Sequence, residues 1–266
     1  VTDPSTYVQR TLRMSAVGQL INAVESIRSI KQYRSDGIMR GRATANRTSF
    51  LPLPVRRFLD STGGITAIHV VNAAAPVLTL LGGRKSNIAA SALSLLVNKS
   101  FETRNPYGRD GSDQLQGVIN GYRLATALIP DAKRSDDLFL RALNAQLCLS
   151  YLASGLAKLV SSDWRSGRAM ELIMRTNTYG NTSFARFIIS HPDIGRLISW
   201  ATIAGEVAYP VVYVADPRIA RHGLTLAKLF HLVVAYTMGL PRFFWTFGAT
   251  HPSAHYVIGQ RTENAS

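Results

Sequence analysis

The chain has 266 residues, with 30 Lys and Arg against 16 Asp and Glu, a formal net charge of +14 and a hydrophobic fraction of 46%. Its lone cysteine, Cys148, excludes an intrachain disulfide and a cysteine-built metal site. A charged fraction of only 17% fits basic connectors between apolar helices at an anionic membrane better than the basic face of a nucleic-acid binder, so no nucleic-acid partner is expected.

The opening residues, VTDPSTYVQR, show no charged-then-apolar leader pattern, so insertion is expected to rely on internal spans. Val17, Leu20, Ile21, Val24 and Ile27 recur at helical spacing with Arg13, Glu25 and Arg28 on other faces. This predicts an amphipathic helix at an interface or on a bundle edge. Residues 31–64 read as a long basic loop bearing Arg34, Arg40, Arg42, Arg47, Arg56 and Arg57, closed by prolines and a glycine pair. Residues 64–83 contain no Asp, Glu, Lys or Arg and reach the about 20 residues of a transmembrane helix, with Pro76 as a tolerated kink. Arg84 and Lys85 follow in a connector, then the shorter runs 86–100 and 115–130, the second interrupted by Arg123. Between them, Asp110 and Asp113 in GRDGSDQL lack the later ligands of a calcium loop and predict a helix start capped by Ser112 or Asp113.

The run 142–160 has Lys158 as its only charge. Run 197–215 carries Glu206, and 223–249 carries Lys228, His231 and Arg242, with Arg218 and Arg221 expected in the connector between them. His251 and His255 have the i, i+4 spacing of helical metal ligands without an evident third, so no metal site is expected. No strand periodicity is present. The chain therefore reads as all-α, a polytopic transmembrane bundle of about five to seven membrane or interfacial helices. Residues 1–63 form the amphipathic helix and basic loop, 64–250 the transmembrane domain, and 251–266 a tail. A mean hydropathy of +0.05 is low for such a protein and leaves a soluble helical bundle open. The lack of a repeating polar face in 64–83 and 142–157 favours the membrane.

An ionisable group near a bilayer centre costs at least about 2.5–3.5 kcal/mol and normally has a partner or a task. Lys158, Glu206 and His231 occupy separate apolar runs and would meet in one polar pocket if those runs pack together. An amine among apolar neighbours is a better base or nucleophile than one in water, and a carboxylate and an imidazole could set its protonation. Structural roles compete with this chemistry. Lys158 at a helix end suits a snorkelling anchor. Glu206 could tie Arg123, Lys158 or Lys228, His231 could be a hydrogen-bonded core histidine, and Tyr151 and Trp164 could be interfacial belt residues.

Four stretches in order resemble one family. They are 110-DGSDQLQGVINGYRLATALIP-130, 148-CLSYLASGLAKLVSSDWRSGRAM-170, 200-WATIAGEVAYPVVYV-214 and 228-KLFHLVVAYTMGLPRFFW-245. Together, over about residues 105–250, they are similar to the HTTM (horizontally transferred transmembrane) superfamily, related to the membrane part of vitamin K-dependent gamma-carboxylases. The nearer likeness is to small bacterial members related to sporulation-delaying protein B. The resemblance implies a multi-pass protein of the bacterial inner membrane, with the lipid bilayer as its surroundings. Lys158 would fall on the base that starts oxidation of a reduced quinone, so that a strong base takes a proton from peptide glutamate. Lys158, Glu206 and His231 are then the catalytic candidates, a membrane quinone the implied cofactor, and a secreted peptide the implied substrate. Two departures stand out: the carboxylases carry a further large domain, and they have a lysine pair where this chain has Ala157 and Lys158. The small relatives are implicated in maturing a secreted toxic peptide. The alternative is a non-catalytic transmembrane subunit of a larger membrane complex, with 31–63 and 250–266 as docking surfaces.

Overall fold

A computed structural model describes residues 3–45, 50–105 and 109–263, which are all-helical, with no strand among them. Arg47 of the basic segment lies outside the described residues. The chain falls into two compact units, Ser5–Phe139 with Trp245–Ala249, and Leu140–Phe244 with the C-terminal helix.

The first unit contains α1 (Pro4–Arg28), α2 (Leu53–Asp60), α3 (Thr62–Leu81), α4 (Arg84–Arg104) and α5 (Gly111–Ala127). The stripe that α1 turns inward is not the apolar row of Val17, Leu20, Ile21, Val24 and Ile27. Val8, Thr11, Leu12, Ser15, Ala16, Gln19, Ala23 and Ser26 are buried, whereas Val24 and Ile27 are each 47% exposed. The reason is a polar network that the inward stripe completes. Gln19 donates to Asn72 of α3 at 3.4 Å and accepts from Ser94 of α4 at 2.9 Å and Gln116 of α5 at 3.1 Å. Ser15 donates to Gln116 at 2.9 Å, and Asn72 donates to Asn22 at 3.1 Å. Buried polar groups must be satisfied, and here they find one another across four helices.

The described residues of 31–64 are not a plain loop. They hold a short 3-10 helix, Ile30–Tyr33, and the amphipathic α2 with Arg56 and Arg57 on it. This segment is tied down by Arg104, a buried guanidinium that donates to the carbonyls of Tyr33 (2.6 Å), Met39 (3.1 Å) and Leu59 (2.8 Å). Tyr33, Ala43, Leu59, Ile65, Ile68 and Val97 form the apolar core beneath it. Ser61 caps α3 by accepting from Gly64 N at 3.0 Å. The start of α5 follows the predicted turn, but the cap is Asp110 rather than Ser112 or Asp113. Asp110 accepts from Ser112 N at 2.8 Å while Asp113 reaches back to Asp110 N at 3.0 Å, a reciprocal capping box. Arg84 and Lys85, expected in a connector, open α4.

The second unit is built from the end of α6 (Ala132–Val160), α7 (Ser162–Ser166), α8 (Arg168–Met174), α9 (Ser183–Ser190), α10 (Pro192–Ala208), a 3-10 turn Tyr209–Tyr213, α11 (Pro217–Met238), α12 (Pro241–Gly248, ending in the first unit) and α13 (His251–Glu263). Prolines at the first turns of α10 and α11 set their starts, which brings Arg218 and Arg221 into α11 instead of a connector. The apolar run 223–249 is broken where Gly239 takes φ +68 and Pro241 begins α12. Residues 251–263 form a helix rather than a tail, with Ala254 and Ile258 packed on Leu147, Tyr209, Ala220 and Leu224.

Among the described residues, α3 is the one helix long and apolar enough to cross a membrane by length and composition. The run 142–160 belongs to a longer helix whose first half adds Lys133, Arg134, Asp136, Asp137 and Arg141. Both units nevertheless turn large apolar side chains outward. On α11, Leu226, Leu229, Leu232, Val233 and Tyr236 are exposed while His231 is buried.

Candidate functional site

Lys158 and Glu206 meet. On α6, Tyr151, Ser154, Gly155 and Lys158 share one face through their spacing of three and four residues. Gly155 lets that face press against α10, because a Cβ there would lie 2.8 Å from the Val207 amide nitrogen and 3.0 Å from Glu206 Cβ. This close approach brings Glu206, near the end of α10, up to Lys158. The ammonium donates to Glu206 Oε2 at 2.7 Å, to Oε1 at 3.0 Å and to Ser154 Oγ at 2.5 Å. The Trp164 ring of α7 lies over it, 5.0 Å from Nζ to the ring centroid. The side chains are 18% and 12% exposed, so the pair is largely shielded from its surroundings.

His231 does not join that pair directly. Its Nε2 lies 2.5 Å from the Tyr151 hydroxyl, one level along the same face of α6. Tyr151 and Lys158 lie seven residues apart on that face, which sets the two pairs about two helical turns apart along α6. The Tyr151 ring stacks on Tyr209 at 4.1 Å between centroids, and Tyr213 donates to the Tyr209 hydroxyl at 3.2 Å. Phe230 and Phe243 each place a ring 5.3 Å from the imidazole, closing it off with apolar surface.

The three residues singled out from the sequence thus fall in one unit, as an ion pair and a neighbouring Tyr–His pair. Tyr151 and Trp164, read as belt residues, are parts of the site, and Ser154 and Gly155 complete it. Counting back from Lys158 by four and seven residues reaches Ser154 and Tyr151, a helical-face signal already present in the sequence. Arg123 is engaged elsewhere. It lies in the first unit and donates to Asp136 at 2.7 Å, with Arg84 on the same carboxylate oxygen at 3.3 Å. His251 is buried on α13, and among the described residues no group of three His, Cys, Asp or Glu side chains is arranged to hold a metal ion.

Chemically, the site offers an amine held on both oxygens of a carboxylate under an indole, with a phenol and an imidazole in hydrogen-bond contact beside it. That set can bind an anionic or carbonyl group at the amine and move a proton between nitrogen and oxygen. Comparison of the chain with protein-family models, curated proteins and solved structures finds no match.

Proposed function

We propose that this chain is a multi-pass inner-membrane protein of the HTTM type in which Lys158 acts as base on a secreted peptide or a membrane quinone. The observation that carries this reading is the Lys158–Glu206 pair, held bidentately under Trp164 and next to the Tyr151–His231 contact. A proton passed from Nζ to the Glu206 carboxylate along the 2.7 Å contact leaves a neutral amine and a neutral acid. The amine then accepts a proton from substrate, and Tyr151 with His231 supplies a further station for proton exchange. The membrane setting is supported by the outward apolar side chains of α3 and α11 and by the polar interior of α1, an arrangement suited to lipid.

Native mass spectrometry of the full chain, extracted in a mild detergent, tests this. A quinone or peptide retained by the wild type and released by Lys158→Ala and Glu206→Gln, with helical content intact, is the expected result. A chain that carries no such ligand and always comigrates with a fixed set of proteins would replace this reading with the non-catalytic membrane subunit.

A further inference from the structure

Tyr209 and Tyr213 have no part in the chemistry above, yet with Tyr151 and His231 they form an unbroken run of contacts in the second unit. The Tyr151 hydroxyl lies 2.5 Å from His231 Nε2. Its ring stacks on Tyr209, with centroids 4.1 Å apart and planes inclined by 22°. The Tyr213 ring meets Tyr209 edge-on at 5.9 Å, and its hydroxyl donates to the Tyr209 hydroxyl at 3.2 Å. Tyr151, Tyr209 and His231 are buried and Tyr213 is half-buried, so the run leads from the interior of the unit to its surface. Packing alone does not account for it, because phenylalanines would stack in the same way and bury no hydroxyl. The partner of Tyr151 is also a base. With the imidazole proton on Nδ1, Nε2 accepts the phenolic hydrogen and can take it outright. One kind of chemistry needs such a pair. A phenol that loses an electron becomes a strong acid, and inside a protein it releases its proton only to a base already in hydrogen-bond contact.

We propose that Tyr151 is a redox-active tyrosine, which gives one electron through Tyr209 and Tyr213 to an organic peroxyl radical at the surface of the unit while its proton moves to His231 Nε2. The O–H bond of Tyr151 breaks and an N–H bond forms on the imidazole, leaving a neutral phenoxyl radical beside an imidazolium. The peroxyl radical gains the electron, becomes a peroxide anion and takes a proton from solvent to end as a hydroperoxide. The stacked and edge-on rings give the electron a path made of contacts throughout, so the oxidant has no need to enter the site. Phe230 and Phe243 cover the imidazole with apolar surface, which holds the transferred proton close to the phenoxyl oxygen. This activity needs neither a base at Lys158 nor a membrane around the chain.

The test is one-electron oxidation of the full chain by a flash-excited ruthenium tris-bipyridyl complex with persulfate, followed by freezing and electron paramagnetic resonance. A neutral tyrosyl signal from a single site among the ten tyrosines is expected. Tyr151→Phe keeps the ring and should abolish that signal, whereas Tyr209→Phe keeps the stack and should leave it in place. Formation of the radical should slow in deuterated water, because the proton moves with the electron. Peroxyl radicals released by a thermal azo initiator should be consumed faster by the wild type than by Tyr151→Phe. A signal undiminished in Tyr151→Phe, or one removed by substituting the 87% exposed Tyr236 with phenylalanine, overturns the proposal. So does a rate unchanged in deuterated water, or equal consumption of peroxyl radicals by wild type and Tyr151→Phe. None of these results alters ligand retention by Lys158→Ala or Glu206→Gln, so the two readings fail separately.

Discussion

Both units bury a cation–carboxylate pair beside an aromatic ring, and the two pairs are built for different ends. In the first, Arg123 is 2% exposed, lies 5.8 Å from the Phe139 ring and shares Asp136 with Arg84. A guanidinium does not release its proton, so this centre can only hold helices together. In the second, Lys158 is 18% exposed, has one carboxylate to itself and touches a serine that can give or take a hydrogen bond. An ammonium can pass a proton to its partner without moving. The same pairing of charges is a tie where the cation is arginine with a second arginine behind it, and under the proposed function a proton-exchange site where it is a lysine with a phenol and an imidazole in the same unit.

Breaking each carboxylate is the strongest way to separate these roles. Asp136→Ala should destabilise the protein by roughly 3–5 kcal/mol in denaturant unfolding, because it strands a fully buried guanidinium. Glu206→Ala should lose only about 1–3 kcal/mol, since Lys158 keeps Ser154 and some access to its surroundings. Equal losses would remove the distinction. Next in size is Gly155→Val, which forces α6 away from α10 and should cost about 1–3 kcal/mol through overpacking. It should also release whatever ligand the wild type retains, and retention by this variant would mean that the close approach is not what positions Glu206.

Smaller effects sharpen the contrast. Lys158→Arg preserves the charge and should shift stability by less than about 1 kcal/mol while ending turnover and ligand retention, read by unfolding and mass spectrometry together. A Lys158→Arg protein with full function would make Lys158 a tie like Arg123. Tyr151→Phe should cost about 1 kcal/mol and change the imidazole nitrogen resonances of His231, because its hydroxyl partner is gone. Unchanged resonances would mean that the phenol and imidazole are not coupled.

Much of this contrast was legible in the sequence, and what was not has physical causes. Lys158 and Glu206 stood out because a charge in an apolar run needs a reason, and α3 stood out by length. The partner of His231 depends on how α6 and α11 cross, which periodicity along one helix does not encode. On α1, the apolar positions 17, 20, 21, 24 and 27 are not the stripe that packs on the other helices. The rule that apolar residues face inward fails where the interior holds Gln19, Asn72, Ser94 and Gln116 in mutual hydrogen bonds. The helix α2 escaped notice because eight residues with two arginines and a proline look like connector. Its amphipathic pattern is too short to stand out from the basic segment around it.

The Arg104 clamp has a consequence in time as well as space. Tyr33, whose carbonyl it holds, is separated from it by 71 positions in sequence. As the chain is synthesised, the segment from Tyr33 to Leu59 therefore emerges with these carbonyls unclaimed, and its final path can be set only after α4 is complete. Closing so long a loop carries an entropic cost that the packing of α2, α3 and α4 must offset. The described parts of this segment, 33–45 and 50–59, should accordingly be among the last parts of the first unit to gain protection from hydrogen exchange during folding.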